Sequence, residues 1–150
     1  MFLDLIWQEA IQLKKSKYSR LLCDEIHNLN LDKNSTLEIV IREGRRFGLS
    51  VILCTQCIST FTKAQRDILN QASTHISFRP TAREINYIAK EIDYDNYREW
   101  CRILQNLERG MAVIQGCYRV NDTMVKSKVP IVCRTQAYNE EDMLCKNNYQ

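Results

Sequence analysis

Residues 20–28 read Arg20-Leu21-Leu22-Cys23-Asp24-Glu25-Ile26-His27-Asn28, and the fold turns on how this stretch is interpreted. Three apolar residues are too few for a helical stripe but suit the end of a buried parallel strand. The pattern predicts a strand over residues 20–24 that delivers Asp24 and Glu25 to the carboxyl edge of a sheet. Open α/β sheets build their sites at that edge. Two adjacent carboxylates there can divide labour, one holding a hydrated Mg²⁺ while the other orients and deprotonates a water. An acidic residue after a strand also reads as a simple turn residue or helix N-cap. The residues downstream weigh between these readings.

After a polar loop over Asn30 to Ser35, with Asp32, Asn34 and Ser35 as candidate caps, the periodicity predicts a helix over residues 36–47. Leu37, Val40, Ile41 and Gly44 form its apolar stripe. Arg42, Arg45 and Arg46 cluster near its end, where a solvated basic face at the favourable pole of a helix dipole would account for them. Gly48 is a C′ stop. Leu49 to Cys54 is an apolar, β-branched run, hence a second buried strand, with Thr55 and Gln56 at its carboxyl end. Strand, helix and strand make a βαβ unit, and the right-handed crossover rule places both strand ends on one edge.

Upstream, Leu3, Ile6, Trp7, Ala10 and Ile11 recur at helical spacing and predict an amphipathic helix over 2–15, closed by Lys14, Lys15 and Lys17. Downstream, a short helix over 64–72 buries Ile68 and Leu69, and His75 to Phe78 is a short strand. A helix from Pro80 or Thr81 carries Ile85, Ile88, Ala89 and Ile92 on one face. Another, over 95–107, turns Trp100, Ile103, Leu104 and Leu107 inward. Met111 to Gln115 and Val129 to Cys133 read as strands, with Arg119 to Lys128 a polar loop or hairpin end. That loop holds Lys126 and Lys128, which read as a solvated end or as contacts to phosphate. The tail from Gln136 is expected to fray, giving a main body over residues 1–135 and a poorly packed 136–150.

The 150 residues are 45% hydrophobic and 26% charged, enough for one domain with a real core. Four Gly and two Pro argue against a linker. A net charge of +3 is compatible with a polyanionic partner without demonstrating one. No apolar run approaches the roughly 20 residues of a membrane span, and the first residues lack the basic region of a signal peptide. Most of the seven Cys lie inside apolar runs, as reduced core residues do, so a cytoplasmic protein is expected. Cys54 and Cys57 have the spacing of a redox or metal pair, but no second pair completes the four ligands of structural zinc. His27 and His75 read as polar residues at a motif and a strand end, and Trp7 and Trp100 as core.

The run from Leu21 to Asn28 resembles the Walker B strand of the HerA/FtsK group of P-loop ATPases. Arg42-Glu43-Gly44-Arg45-Arg46-Phe47-Gly48-Leu49-Ser50-Val51-Ile52-Leu53-Cys54-Thr55-Gln56 resembles the arginine-bearing helix and sensor strand that follow it there. Asp67 to Ala72 with Ile76 to Arg79, and Gly110 to Ile114, are similar to later elements in the same order, so the resemblance spans about residues 18–116. It implies an α/β fold, three-layered, with a mainly parallel sheet of RecA-like P-loop NTPase type. It implies ATP and Mg²⁺ as ligands and double-stranded DNA as partner. It also implies a homo- or hetero-oligomeric ring such as a hexamer, with no membrane association. By position, Asp24 would hold the metal through water, Glu25 would polarise the attacking water and Gln56 would sense the γ-phosphate. Arg45 or Arg46 would be an arginine finger for a neighbouring subunit, with Arg42 a weaker candidate.

The sequence also departs from that group. A phosphate-binding loop needs glycines ending in Lys-Ser or Lys-Thr, and none of Gly44, Gly48, Gly110 and Gly116 precedes such a pair. The strand expected between the sensor strand and the next is absent too, which would leave unpaired sheet edges. The expectation is therefore an incomplete domain, the C-terminal half of such an ATPase, inactive alone. An interaction or regulatory module that retains the fold is the alternative. The Asp-Glu-Ile-His run also resembles the DExH box of superfamily 2 helicases, but no Ser-Ala-Thr type motif follows it.

Overall fold

The computed structural model describes residues 2–13, 18–120 and 123–135. In chain order the elements are α1 (Phe2–Leu13), β1 (Ser19–Cys23), α2 (Thr36–Glu43), β2 (Leu49–Leu53), α3 (Lys63–Leu69) and β3 (Thr74–Phe78). They continue with α4 (Ile85–Ile92), α5 (Tyr97–Gln105), β4 (Met111–Val120) and β5 (Thr123–Arg134). The chain divides between Ala72 and Ser73 into two compact units.

In the first unit β1 and β2 pair in parallel, from Ser19 against Leu49 to Cys23 against Leu53. With α2 between them they form the βαβ unit that the sequence predicts. Of the three candidate caps, Ser35 starts α2: its hydroxyl accepts the Glu38 N–H at 3.3 Å. The Glu38 carboxylate returns to accept the Asn34 N–H at 3.3 Å, so both ends of the first turn are tied. The helix is shorter than predicted. It tightens into a 3₁₀ turn over Gly44–Phe47 and stops at Gly48, whose φ of 76° is left-handed and favours glycine.

Cys23, Ile26, Leu31, Leu37, Phe61 and Leu69 form one core cluster, and Ala10, Val40 and Leu49 a second. Trp7 belongs to the second, its ring edge-on to Phe47 at 5.1 Å. The Thr36 hydroxyl donates to Asp4 and joins α1 to the start of α2. Lys14, Lys15 and Lys17 lie outside the described residues. On the other face of the parallel pair, Leu22 and Ile52 sit directly opposite each other, 66% and 52% exposed. Parallel strands are ordinarily covered on both faces.

The second unit is an antiparallel sheet of order β3-β4-β5. Helices α4 and α5 bury Ile85, Ala89, Ile92, Leu104 and Leu107 against Val113 of β4, the apolar positions read from the sequence. The first of these helices begins at Ile85 rather than at Pro80 or Thr81, because Thr81 to Glu84 closes a turn first (Glu84 N–H to the Thr81 carbonyl, 3.0 Å). β1 and β2 belong to one ladder and β3 to another.

Residues 119–128 read as a polar loop or hairpin end, and the hairpin is what forms: β4 runs to Val120 and β5 starts at Thr123, with Cys117 against Lys126 and Val120 against Thr123, so both strands extend beyond the predicted 111–115 and 129–133. β3 accompanies β4 only as far as Gly116, so the remaining pairs form a two-stranded ribbon. The register slips between Ile114 and Gly116, opposite Pro130, which has no N–H to give a ladder. Gly116 has φ 113°, and a Cβ there would stand 2.1 Å from the Ser73 carbonyl oxygen. The tail 136–150, and the fraying expected of it, lie outside the described residues. Among the described residues no helix is long and apolar enough to cross a membrane.

Candidate functional site

The parallel ladder continues one step beyond its strands. Cys54 N–H donates to the Cys23 carbonyl at 2.8 Å, and Ile26 N–H to the Cys54 carbonyl at 3.1 Å. Asp24 and Glu25 are thereby held between two fixed points at the carboxyl edge. The chain turns sharply there, with Glu25 in the left-handed region (φ 50°, ψ 51°). A non-glycine residue at such angles is uncommon and persists where its surroundings hold it. Asp24 Oδ1 supplies part of that hold by accepting the Glu25 N–H at 2.9 Å.

Gln56, just past the end of β2, donates from Nε2 to Glu25 Oε1. His27 Nδ1 stands 3.2 Å from Glu25 Oε2, without the alignment of a hydrogen bond. That oxygen is shielded from solvent and accepts no hydrogen bond, although the Glu25 side chain as a whole is 33% exposed. The carboxylate therefore has Oε1 engaged by an amide and Oε2 shielded beside the His27 ring. Asp24 is exposed and engaged through Oδ1, so its carboxylate can also meet a hydrated cation.

Asp24, Glu25 and Gln56 are thus brought together. The arginines are not. Arg42 is taken up within its own helix, Nη1 lying 2.7 Å from Glu38 Oε1 and Nη2 3.2 Å from Glu43 Oε1. Arg45 and Arg46 are exposed on the 3₁₀ turn before β2. They stand at the opposite end of that strand from Gln56, and its five residues alone span about 17 Å at roughly 3.3 Å of rise per residue. His27 was the neighbour that sequence reasoning set aside; its place two residues after Glu25 was the available signal.

Cys54 and Cys57 are free, half-buried thiols, and Cys57 N–H donates to the Thr55 hydroxyl at 3.4 Å. No group of three or more His, Cys, Asp or Glu that could hold a metal forms among the described residues. Two open clefts lie in the second unit. One, of about 550 Å³, is lined by residues from Asp95 to Arg102. Beside it the Arg98 guanidinium, hydrogen-bonded to the Tyr97 hydroxyl, holds that phenol below its ordinary pKa. The other, of about 310 Å³, lies between Phe78-Arg79 and the Glu108 to Met111 turn.

No protein-family model matches the chain, and no curated protein matches it in sequence. Its fold does match solved structures. It is similar to the genome packaging NTPase B204 from Sulfolobus turreted icosahedral virus 2 in complex with AMP, at 20% identity and a TM-score of 0.63. The same protein in complex with ATP-gammaS gives 19% and 0.64. B204, the DNA-packaging ATPase from Sulfolobus Turreted Icosahedral Virus, gives 18% and 0.63. Each match takes in 91% of this chain but 62% of the other, so the chain spans under two thirds of the structures it resembles. At this identity the likeness is one of fold. The α/β fold is of P-loop NTPase type and corresponds to part of that domain.

Proposed function

We propose that this chain supplies the water-activating edge of a HerA/FtsK-type, ATP-driven double-stranded DNA translocase, and that the phosphate-binding loop comes from elsewhere. The observation that carries the proposal is the convergence of Asp24, Glu25 and Gln56 at the carboxyl edge of β1 and β2, fixed by the hydrogen bond from Gln56 to Glu25. The fold likeness supports it, because those relatives are described as a packaging NTPase in complex with nucleotides and as a DNA-packaging ATPase.

Each residue has a task suited to its chemistry. Asp24, exposed and anionic, would hold Mg²⁺ through water. Glu25 takes a proton from the water that attacks phosphorus, through Oε1 once Gln56 has released it, because Oε2 is shielded from solvent. Gln56, a neutral amide, exchanges its bond to Glu25 for one to the terminal phosphate. Mg²⁺, when bound, neutralises phosphate charge. Arg45 or Arg46 serves a neighbouring subunit, since neither reaches Glu25 within one chain. A planar, permanently charged fork is what spread phosphoryl charge requires. Alone, the chain is inactive. Its partners are double-stranded DNA and other subunits of a ring, homo- or hetero-oligomeric, such as a hexamer, in the cytoplasm.

The missing Lys-Ser/Thr loop favours a second reading, a regulatory module that retains the ATPase fold and presents Arg45 and Arg46 to a catalytic partner. Titration with a fluorescent ATP analogue and Mg²⁺, beside Glu25→Gln, tests the first. No binding by the chain up to millimolar nucleotide is expected. Tight Mg²⁺-dependent binding would mean that a phosphate site exists within the chain, and the incomplete-domain reading would fall. If a partner's ATPase needs Arg45 and Arg46 but tolerates Glu25→Gln, the regulatory reading stands instead.

A further inference from the structure

β3 is an edge of the second unit's sheet, paired with β4 on one side only. Cys117 N–H donates to the Ser73 carbonyl at 3.4 Å, and this bond fixes the alternation along the strand. Positions 73, 75 and 77 turn their backbone groups to β4, while Thr74, Ile76 and Phe78 turn theirs to the open edge. Among the described residues nothing meets these outward N–H and C=O groups. The side chains of the same three residues share one face, on which Ile76 is 57% and Phe78 55% exposed. Helices α4 and α5 cover the opposite face, that of Val113 and Ser77.

Open edges are ordinarily blunted by charge, proline or a bulge. β5, the other edge, contains Lys126, Lys128 and Pro130 and a slip in register. β3 has none of these: Ser73 to Phe78 includes no Lys, Arg, Asp, Glu or Pro, and its register against β4 is unbroken from Thr74 to Phe78.

We propose that this edge pairs antiparallel with the same edge of a second copy, about a two-fold axis at Ile76, so that two three-stranded sheets become one. Ile76 then opposes Ile76 and Thr74 opposes Phe78, which satisfies every outward group of these residues and lays the exposed apolar side chains along one face. The stretch is its own complement, as a two-fold contact requires. Charge selects the direction: antiparallel pairing sets Arg79 opposite Ser73, whereas parallel pairing in register sets Arg79 against Arg79. Area sets the strength. A five-residue edge with two exposed apolar side chains falls short of the roughly 800 Å² per partner of a standard interface. The dimer is therefore weak, with a Kd of about 10–500 μM, and exchanges with monomer. The proposal goes beyond the ATPase reading and does not depend on it.

The test is sedimentation velocity of the full chain from about 5 to 500 μM, a range that brackets that Kd, under reducing conditions that keep the cysteines out of the association. Wild type is expected to pass from monomer to dimer. Ile76→Lys sets like charges against each other at the axis and should weaken association at least tenfold, about 1.4 kcal/mol. Ile76→Pro removes only an outward N–H, which an edge strand tolerates, and should do the same while keeping the wild-type circular dichroism spectrum. Leu22→Lys with Ile52→Lys, on the exposed face of the first unit, should leave association within about threefold, as surface changes away from a contact do. Amide exchange supplies a readout without mutation. The Thr74, Ile76 and Phe78 amides should exchange at least about twofold more slowly at the highest concentration than at the lowest, while His75 and Ser77, bonded to β4, stay as they are. A chain that remains monomeric throughout overturns the proposal. So does association that survives both Ile76 variants, association lost in the Leu22 and Ile52 variant, or protection that appears elsewhere. No nucleotide enters these measurements, so the β3 edge and the ATPase edge can fail separately.

Discussion

Gln56 donates its side-chain amide to the Glu25 carboxylate, joining the loops that follow β1 and β2. The bond is charge-assisted and partly exposed, so its loss should cost modestly, about 0.5–1.5 kcal/mol. Gln56→Ala should lower the unfolding free energy read from denaturant titration by that amount. Gln56→Glu should cost more, because it sets a second carboxylate against the first. If the two variants are equally stable, the pair is not in contact in solution.

Arg42 and Glu38 give a sharper test. The Glu38 side chain is 6% exposed, and its carboxylate faces Arg42 at 2.7 Å. Arg42→Ala would leave that charge buried with only the Asn34 N–H for company, a loss of about 2 kcal/mol. Adding Glu38→Gln should recover part of it. A loss under about 0.5 kcal/mol in urea denaturation would place the pair with ordinary surface ion pairs.

Gly116 sits at a point no side chain can share. Gly116→Ala places a Cβ against the Ser73 carbonyl and forces φ 113° on an L-residue. The expected cost is at least about 2 kcal/mol, visible as earlier thermal unfolding. An unchanged melting temperature would mean that β3 and β4 part before Gly116.

Burial, and then the neighbouring Cys54 thiol, raise the Cys23 pKa above 9.0. The native state therefore holds the Cys23 proton after the unfolded chain has released it. Its contribution is complete below pH 9.0 and declines from there towards the higher native value. Stability measured from pH 8 to 11 should fall less steeply in Cys23→Ala than in wild type, whatever the variant's absolute stability. Parallel slopes in the two proteins would refute the shift.

The βαβ unit was legible because its signals agree: an apolar run at each strand, a helical stripe between them, Ser35 at one end and Gly48 at the other. Agreement across levels of this kind marks a sequence that specifies its fold. The convergence of Glu25 and Gln56 followed from the crossover rule alone, because parallel neighbours end on one edge. The hairpin was one of two readings, but its strands were read too short because Arg119, Lys126, Ser127 and Lys128 make the segment look polar. The place of His27 two residues after Glu25 was a signal, but it did not set the contact. Its approach to Glu25 depends on the left-handed turn at Glu25 itself, and nothing local forces an acidic residue into that region.

The positions of Glu25 and of Arg45-Arg46 at opposite ends of the parallel β1–β2 pair constrain how copies can meet. A two-fold dimer could satisfy both ends only reciprocally, acidic edge to arginine end in each direction, and would stop at two copies. A head-to-tail contact presents the arginine end of one copy to the acidic edge of the next and leaves one end of each kind open. Such contacts are heterologous, so they repeat until the turn at each interface closes the circle, or run on as a helical filament if it does not. Subunit number would then be set by an angle rather than by affinity, and a change that tilts the 3₁₀ turn at Gly44–Phe47 could alter the count without weakening any single contact.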